Sequence, residues 1–381
     1  MALRVALWGP LPPPAGGLTR WVQNYLAAAP AAGIEAEVID SSPRAAGVDT
    51  TSRFRPARVL RATHSLLQLR RVLAQRRPDV VHLCTTLFWA TAREGLALEL
   101  CHRAGVPSVL HVHMSTQIIA WHRALRWPSR QGVRAVIERA SAVVTMSEEL
   151  NVYLQDLLPD GRIVYIPNPV NTDRFYPAAA PGLADRPLRV LFAGLIAETK
   201  GFLELARAVL AVDGVTLVVA GSRSIGSTAE SDRRIEHALG QLERQGRLEL
   251  LGDVPAAAMP ATYRDVDVFC LPSHAEGLPN ALLEAMACGL PCVITPVGGM
   301  LGVVEGESGP AALVVPVGDE TALAGALRSL RDAPPLRARL GAAARQRAVC
   351  RYTSRTVVEE YAALYARLRG ANAVHHRALW A

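Results

Sequence analysis

Two glutamates, Glu276 and Glu284, stand eight positions apart in the run LPSHAEGLPNALLEAMACGLPCVITPVGG, Leu271 to Gly299. Between them the backbone at Gly277, Leu278, Pro279 and Asn280 falls where a helix begins, and a helix start gathers unpaired N–H donors and partial positive charge. Such a cradle holds a diphosphate without side chains. A carboxylate on either side of it suits a ligand with hydroxyls at both ends and phosphate in the middle, as in a nucleotide-sugar. On spacing alone the bland alternative stands beside this one: glutamate near a helix start often only complements the dipole, and Glu284 reads equally well as a solvated helix residue.

To hold these groups the chain needs a strand, a loop, a helix and a second strand. Val268–Leu271 has the short apolar character of a buried parallel strand, ended by Pro272 and Ser273. Asn280 is then expected to cap a helix through Leu283 and Ala287, stopped by Gly289 and Pro291. Cys292–Thr295 makes the second strand and runs into a Gly298-Gly299 turn. The same alternation fills both halves of the chain. Strands are expected at Arg4–Gly9, Glu37–Ile39, Val80–Cys84, Ser108–His113, Ala142–Thr145 and Ile163–Ile166. A second series follows at Leu188–Ala193, Val215–Ala220, Leu248–Leu251, Val268–Leu271, Cys292–Thr295 and Ala312–Val315. Closing helices are expected over Leu323–Leu330, Leu336–Val349 and Thr356–Leu368. Alternating strands and helices predict an α/β fold with parallel sheets. A length of 381 residues suits two domains, with the Ala- and Pro-rich stretch Tyr176–Pro187 as linker.

Charge at a phosphate site has one conspicuous source. Lys200, in Gly194–Gly201 (GLIAETKG), is the only lysine in the sequence. A chain that otherwise uses arginine and keeps one lysine between a strand and a helix argues for a compact, flexible ammonium there; chance survival is the alternative. Arg223, in Ala220-Gly221-Ser222-Arg223, ends the next strand. Gly16-Gly17, after the first strand, permits close backbone approach, or makes a plain turn. His111 and His113 end a buried strand at the edge where open sheets bind ligands; a histidine there is otherwise a satisfied core residue.

The pattern Ser273, Glu276-Gly277, Pro279, Glu284-Ala285, Gly289, Pro291, Gly298-Gly299 is similar to the signature of the family-four retaining glycosyltransferases of GT-B fold, and GLIAETKG resembles that family's G-R-L-x-x-x-K-G. The resemblance implies two Rossmann-like, doubly wound domains facing each other across a cleft. Residues 1–180 would form the acceptor-side domain and 188–352 the nucleotide-sugar-binding domain. A helix over 353–370 would cross back to the first domain, with a loose tail after Gly370. It also implies roles: Lys200 neutralises the leaving diphosphate, Glu276 holds the sugar hydroxyls, Glu284 the ribose, and His113 the sugar from the first domain, with Gly16, Gly17 and Gly194 close to the donor. Val144–Ser147 and Ile166–Asp173 resemble segments that shape the hinge, although the family shows Gly-Val-Asp where this chain has Pro169-Val170-Asn171. Leu195 departs further, since the family carries an arginine there; Arg223 is placed to substitute. The activity implied is retaining transfer of a hexosyl group from a nucleoside diphosphate sugar to a saccharide or lipid-linked acceptor, in bacterial cell-surface polysaccharide synthesis. The rivals are a GT-B nucleotide-sugar epimerase and a catalytically weakened donor- or membrane-binding scaffold, which Leu195 favours.

Composition narrows the setting. The net charge is +7, and residues 1–185 hold 20 arginines against 14 acidic residues while the remainder is nearly balanced, so the first half faces something acidic. Two basic stretches stand out: Arg53, Arg55, Arg58, Arg61, Arg70, Arg71, Arg76 and Arg77 around an amphipathic helix, and Trp121, His122, Arg123, Arg126, Trp127, Arg130 and Arg134. Arg with Trp fits an anionic membrane surface or lipid-linked acceptor, though charge runs are more often solvated faces. No reading motif accompanies the charge, which disfavours nucleic acid. The absence of GxGxxG disfavours a dinucleotide oxidoreductase. With no GxxxxGK[ST] loop and no His or Cys ligand cluster at metal spacing, neither metal nor cofactor is expected. The six cysteines read as reduced, buried packing residues. The first residues do not form a secretory signal and no apolar run is long enough to span a bilayer, so a cytoplasmic protein is expected, at most peripheral on the inner face of the membrane.

Overall fold

A computed structural model describes residues 2–12, 16–42, 56–158, 161–178, 186–223, 228–306 and 309–378. The chain divides into two compact units, Met1–Pro169 with Ser354–Ala381, and Val170–Thr353. The first contains β1 (Leu3–Gly9), α1 (Gly17–Ala28), β2 (Ile34–Asp40), α2 (Pro56–Gln75), β3 (Val80–Thr85), α3 (Thr91–Arg103), β4 (Ser108–Val112), α4 (Thr116–Ala124), α5 (Trp127–Glu138), β5 (Ala142–Thr145), α6 (Glu148–Leu157) and β6 (Ile163–Tyr165). The second contains β7 (Leu188–Ala193), α7 (Phe202–Leu210), β8 (Val215–Ala220), α8 (Ala229–Arg244), β9 (Leu248–Gly252), α9 (Met259–Arg264), β10 (Val268–Leu271), α10 (Asn280–Ala287), β11 (Cys292–Ile294), α11 (Met300–Val304), β12 (Ala312–Val314), α12 (Glu320–Asp332) and α13 (Pro334–Arg351). The last helix, α14 (Ser354–Ala378), belongs to the first unit.

Each unit is built on one six-stranded sheet whose strand pairs are all parallel, ordered β2-β1-β3-β4-β5-β6 in the first and β12-β11-β10-β7-β8-β9 in the second. In the second, the chain winds outward from β7 through β8 to β9, then returns beside β7 and winds the other way from β10. The crevice between the C-terminal ends of β7 and β10 is therefore a topological switch point, the place where open α/β sheets take ligands. β3, β4, β5 and β10 are buried at every position, as strands covered on both faces must be. On one face of the first sheet, α1 and α14 close a core of Trp21, Val22, Tyr25, Val357, Val358, Tyr361, Leu364 and Tyr365.

Several expectations change. The first unit ends at Pro169, ahead of the Ala/Pro-rich stretch expected to link the halves, because Val170 donates to Tyr352 O at 2.8 Å and Phe175 packs edge-on against Tyr263. Residues 179–185 of that stretch lie outside the described residues, as do Arg53 and Arg55. Helix α14 does not loosen after Gly370 but continues to Ala378, and Asn372 ties it to Gly105 O at 2.7 Å. Asn280 is the first helical residue rather than the cap. Pro279, extended at φ −71° and ψ 127°, takes the cap position, since its ring fixes φ and bars the preceding residue from the helical region. Cys350 is exposed; the other five cysteines are buried and all six are free.

Candidate active site

The switch point of the second sheet brings together two loops far apart in sequence. After β7, Gly194–Gly201 leads through a short 3-10 turn (Glu198–Lys200) into α7; after β10, Pro272–Pro279 leads into α10. Backbone contacts lock them: His274 N donates to Thr199 O at 3.0 Å, and Gly201, at φ 64°, lies so close under Pro272 that a Cβ would sit 1.9 Å from its carbonyl oxygen. Gly298, at φ 59°, makes the same kind of approach to Glu276 and Gly277, whose carbonyl oxygens would each lie 2.4 Å from a Cβ. Gly299 N donates to Gly277 O at 2.6 Å. Only glycine fits at these two positions.

On this frame the Lys200 ammonium donates to Glu276 Oε1 at 2.7 Å, and Ser273 Oγ donates to the same oxygen at 2.9 Å. Thr295 Oγ1 in turn donates to Ser273 O at 2.5 Å. The lysine side chain is 28% exposed and the glutamate 11%, so the pair opens to solvent on one side. Among the described residues every contact to the Glu276 carboxylate falls on Oε1. The two charges satisfy each other; a ligand carrying phosphate and hydroxyl groups can divide them, phosphate to the ammonium and hydroxyl to the carboxylate.

Glu284 is not the solvated helix residue of the bland reading. It is 3% exposed, and the Tyr263 hydroxyl, itself buried under α10, donates to Oε2 at 3.0 Å. Leu278 is buried and anchors the loop between the two carboxylates. Leu195 is 44% exposed at the position where arginine was expected. Arg223 does lie beside that loop: its backbone bridges to Ile196, with Ile196 N donating to Ser222 O at 2.9 Å, while its half-exposed guanidinium pairs with Glu236 at 2.7 Å. Gly194, at φ 158°, is nearly extended.

His113 sits in the first unit, one residue past β4, where its N–H donates to Thr85 O at 2.9 Å. Its ring lies 3.8 Å from that of His111 and edge-on to Trp21, centroids 5.0 Å apart; its Nε2 has no hydrogen-bond partner among the described residues. Burial, with the nearby His82, holds its pKa well below the ordinary histidine value, so it offers a neutral imidazole at physiological pH. Gly16 caps α1 in extended conformation, and a Cβ at Gly16 or Gly17 would meet nothing within 4 Å, so within this chain no close approach requires the pair.

Sequence reasoning missed the hydroxyls of Ser273 and Tyr263. The first lay inside the quoted motif without a role; the second comes from α9, which no local pattern connects to α10. It also missed a cluster. His82, Cys84 and His111 are buried with ligand-capable atoms all within 4.8 Å of one another, which corrects the reading that no His and Cys group together. Two residues on β3 and one on β4 meet only through strand register, in which Cys84 stands opposite His111. Both ring nitrogens of His82 are engaged, one with Tyr365 and one with His111 of the same cluster, so the three side chains lie in a hydrogen-bonded core.

Comparison with known proteins bears on the family and the fold. Residues 15–174 match the family model "Glycosyltransferase Family 4" and residues 187–332 the model "Glycosyl transferases group 1". A glycogen synthase of Mycobacterium tuberculosis is 27% identical over 301 residues, 76% of this chain and 69% of that protein. Among solved structures, sucrose-phosphate synthase of Thermosynechococcus elongatus superposes with a TM-score of 0.79 at 22% identity, covering 97% of this chain and 100% of that one. The Anabaena protein HepE, in complex with UDP-glucose, gives 0.72 at 16% identity, covering 96% and 99%. With two matched segments that take in most of its length and a fold of GT-B type throughout, the chain belongs to the group-1, family-four glycosyltransferases.

Proposed function

We propose that this glycosyltransferase moves a hexosyl group from a nucleoside diphosphate sugar to a saccharide or lipid-linked acceptor, with retention of anomeric configuration and without a metal ion, in the synthesis of cell-surface polysaccharide. The observation that carries the reading is the Lys200–Glu276 pair at the switch point of the second sheet, open on one side. UDP-glucose on HepE and the glycogen synthase relative support the donor class and the glycan setting.

In this mechanism Lys200 turns to the diphosphate and neutralises the charge that develops as the bond from the anomeric carbon to the phosphate oxygen breaks. Glu276, still held by Ser273, accepts hydrogen bonds from the sugar hydroxyls; Glu284, fixed by Tyr263, accepts from the ribose. His113 supplies a neutral hydrogen-bonding imidazole toward the sugar. The acceptor oxygen attacks the same face that the leaving group vacates, and its proton passes to the departing phosphate oxygen. A covalent glycosyl-enzyme is disfavoured because Glu276 and Glu284 would take hydroxyls at opposite ends of the donor, which leaves no nucleophile and acid pair of carboxylates about the reacting bond. Arg223, released from Glu236, adds the charge that Leu195 lacks. Arg223→Ala is expected to weaken binding of the nucleoside diphosphate about tenfold, the worth of one charge-assisted hydrogen bond, read by calorimetry; unchanged affinity would remove Arg223 from the site.

The first unit offers a surface for an anionic membrane. Trp127, at the start of α5, is 72% exposed, with Arg123 and Arg126 exposed beside it; no described helix is long and apolar enough to cross a bilayer. Arg126→Ala is expected to weaken binding to vesicles rich in anionic lipid about fivefold, near 1 kcal/mol, and Trp127→Ala to weaken it further in the same flotation assay. Equal binding to neutral vesicles would exclude this surface as a membrane contact.

The deciding experiment follows release of nucleoside diphosphate from a panel of nucleotide-sugars, with and without a lipid-linked acceptor extract, in EDTA. Acceptor-dependent release that survives EDTA, with the donor's anomeric configuration kept in the product, is expected. Inversion, or a requirement for metal, would sink the mechanism. Turnover without acceptor would favour an epimerase; donor binding without turnover would favour a scaffold, for which the exposed Leu195 speaks.

A further inference from the structure

The core of the first unit holds a row of polar side chains that the chemistry above does not use. Tyr25 OH on α1 donates to Tyr365 OH on α14 at 3.1 Å. Tyr365 OH lies 2.6 Å from His82 Nδ1, and His82 Nε2 lies 3.2 Å from His111 Nδ1. All four side chains are buried. Burial alone pushes the His82 pKa down to about 3, and it holds His111 low and Tyr365 high, so no member carries charge near neutral pH. A neutral imidazole has one N–H and one acceptor nitrogen, and His82 uses both. The protons along the row are therefore linked. With Tyr25 donating to Tyr365, one consistent run of protons has Tyr365 donating to His82 Nδ1, His82 Nε2–H donating to His111 Nδ1, which Tyr361 OH also approaches at 3.4 Å, and His111 carrying its own proton on Nε2. That nitrogen has no partner among the described residues, and neither has His113 Nε2. The His111 ring is packed on the His113 ring at 3.8 Å, with Trp21 set edge-on to both at 4.8 and 5.0 Å.

We propose that Tyr365 is a positioning residue for His113: through His82 and His111 it sets the ring against which His113 packs, and so fixes the plane His113 presents at the end of β4. The consequence rests on the reading that His113 meets the donor sugar, but the coupling itself does not. A hydroxyl on the last helix thereby governs a hydrogen-bonding group at the ligand edge of the sheet.

The test uses the full chain labelled with 15N-histidine. Tyr365→Phe removes the hydroxyl and keeps the ring. In the wild type His82 and His111 are expected as Nε2–H tautomers; in Tyr365→Phe the His82 and His111 resonances are expected to shift toward mixed tautomers and the His113 resonances to shift with the ring they pack against. Turnover is expected to fall about tenfold, one hydrogen bond's worth, with the donor KM within twofold. On a His113→Ala background Tyr365→Phe is expected to cost nothing more. Unchanged His113 resonances overturn the proposal whatever the activity does. Shifted resonances with full turnover, in a protein that His113→Ala inactivates, also overturn it. If His113→Ala is itself fully active while the resonances shift, the coupling stands and the sugar-contact reading falls. Should Tyr365→Phe fail to fold, Tyr25→Phe cuts the row one bond earlier and is expected to shift the same resonances by less; no shift there overturns the proposal.

Discussion

Lys200→Ala is expected to lower turnover by roughly a hundred- to a thousandfold, the effect of deleting one preorganised donor from a developing oxyanion. The chain holds no second lysine to move into the gap, and the planar fork of an arginine is not interchangeable with a compact ammonium. Glu276→Gln is expected to cost about a hundredfold for a different reason. The amide still bonds sugar hydroxyls, but Lys200 loses its counter-charge and the donor's hydroxyls lose a charged acceptor. Combined, the two changes should cost little more than Lys200→Ala alone, since residues that act as a unit are not additive. Single-turnover release of nucleoside diphosphate reads all three proteins. Lys200→Ala within tenfold of wild type, or fully additive losses, would mean that the pair is a structural tie and not the centre of the site.

The second large effect concerns acid. His82 is buried and neutral with its pKa pushed down to about 3, against about 6.5 in an unfolded chain. Below pH 6.5 the unfolded state takes up a proton that the folded state refuses, so the stabilisation is complete above that pH and drains away as pH falls toward 3. For His82 alone the loss reaches about 2 kcal/mol at pH 5. His111 and His113, also held low by burial, act in the same direction. The urea midpoint of the first unit's transition is expected to drop steeply between pH 7.5 and pH 5, with more than one proton taken up on unfolding. A midpoint flat across that range would show that these histidines charge without unfolding the core around them.

What could be read ahead of the structure follows where the physical signal is local. The strands at Ala142–Thr145, Leu188–Ala193, Val215–Ala220 and Val268–Leu271 end where turn residues break continuous apolar runs. The helix after Glu276 was legible as a helix, but its start was misplaced by one residue, because the ring of Pro279 outweighed the capping preference of Asn280. Lys200 and Glu276 were each recognisable from composition and resemblance. That they touch was not, since 76 residues separate them and only the order β10-β7 brings their loops together. The same limit hid Tyr263 behind Glu284 and the whole histidine row: partners on different elements leave no spacing to find, whereas the alternation of a strand leaves one every two residues.

The core of the first unit is unfinished until Ser354–Ala378 has been made, for Val357, Val358, Tyr361, Leu364 and Tyr365 supply one wall of it. Those residues leave the ribosome only after the whole of Val170–Thr353. At roughly 5–20 residues per second, the first half of the nascent chain therefore waits tens of seconds with an apolar face uncovered, while the second unit already has every residue it needs. The order of synthesis and the order of completion are reversed: the part translated first is the part sealed last.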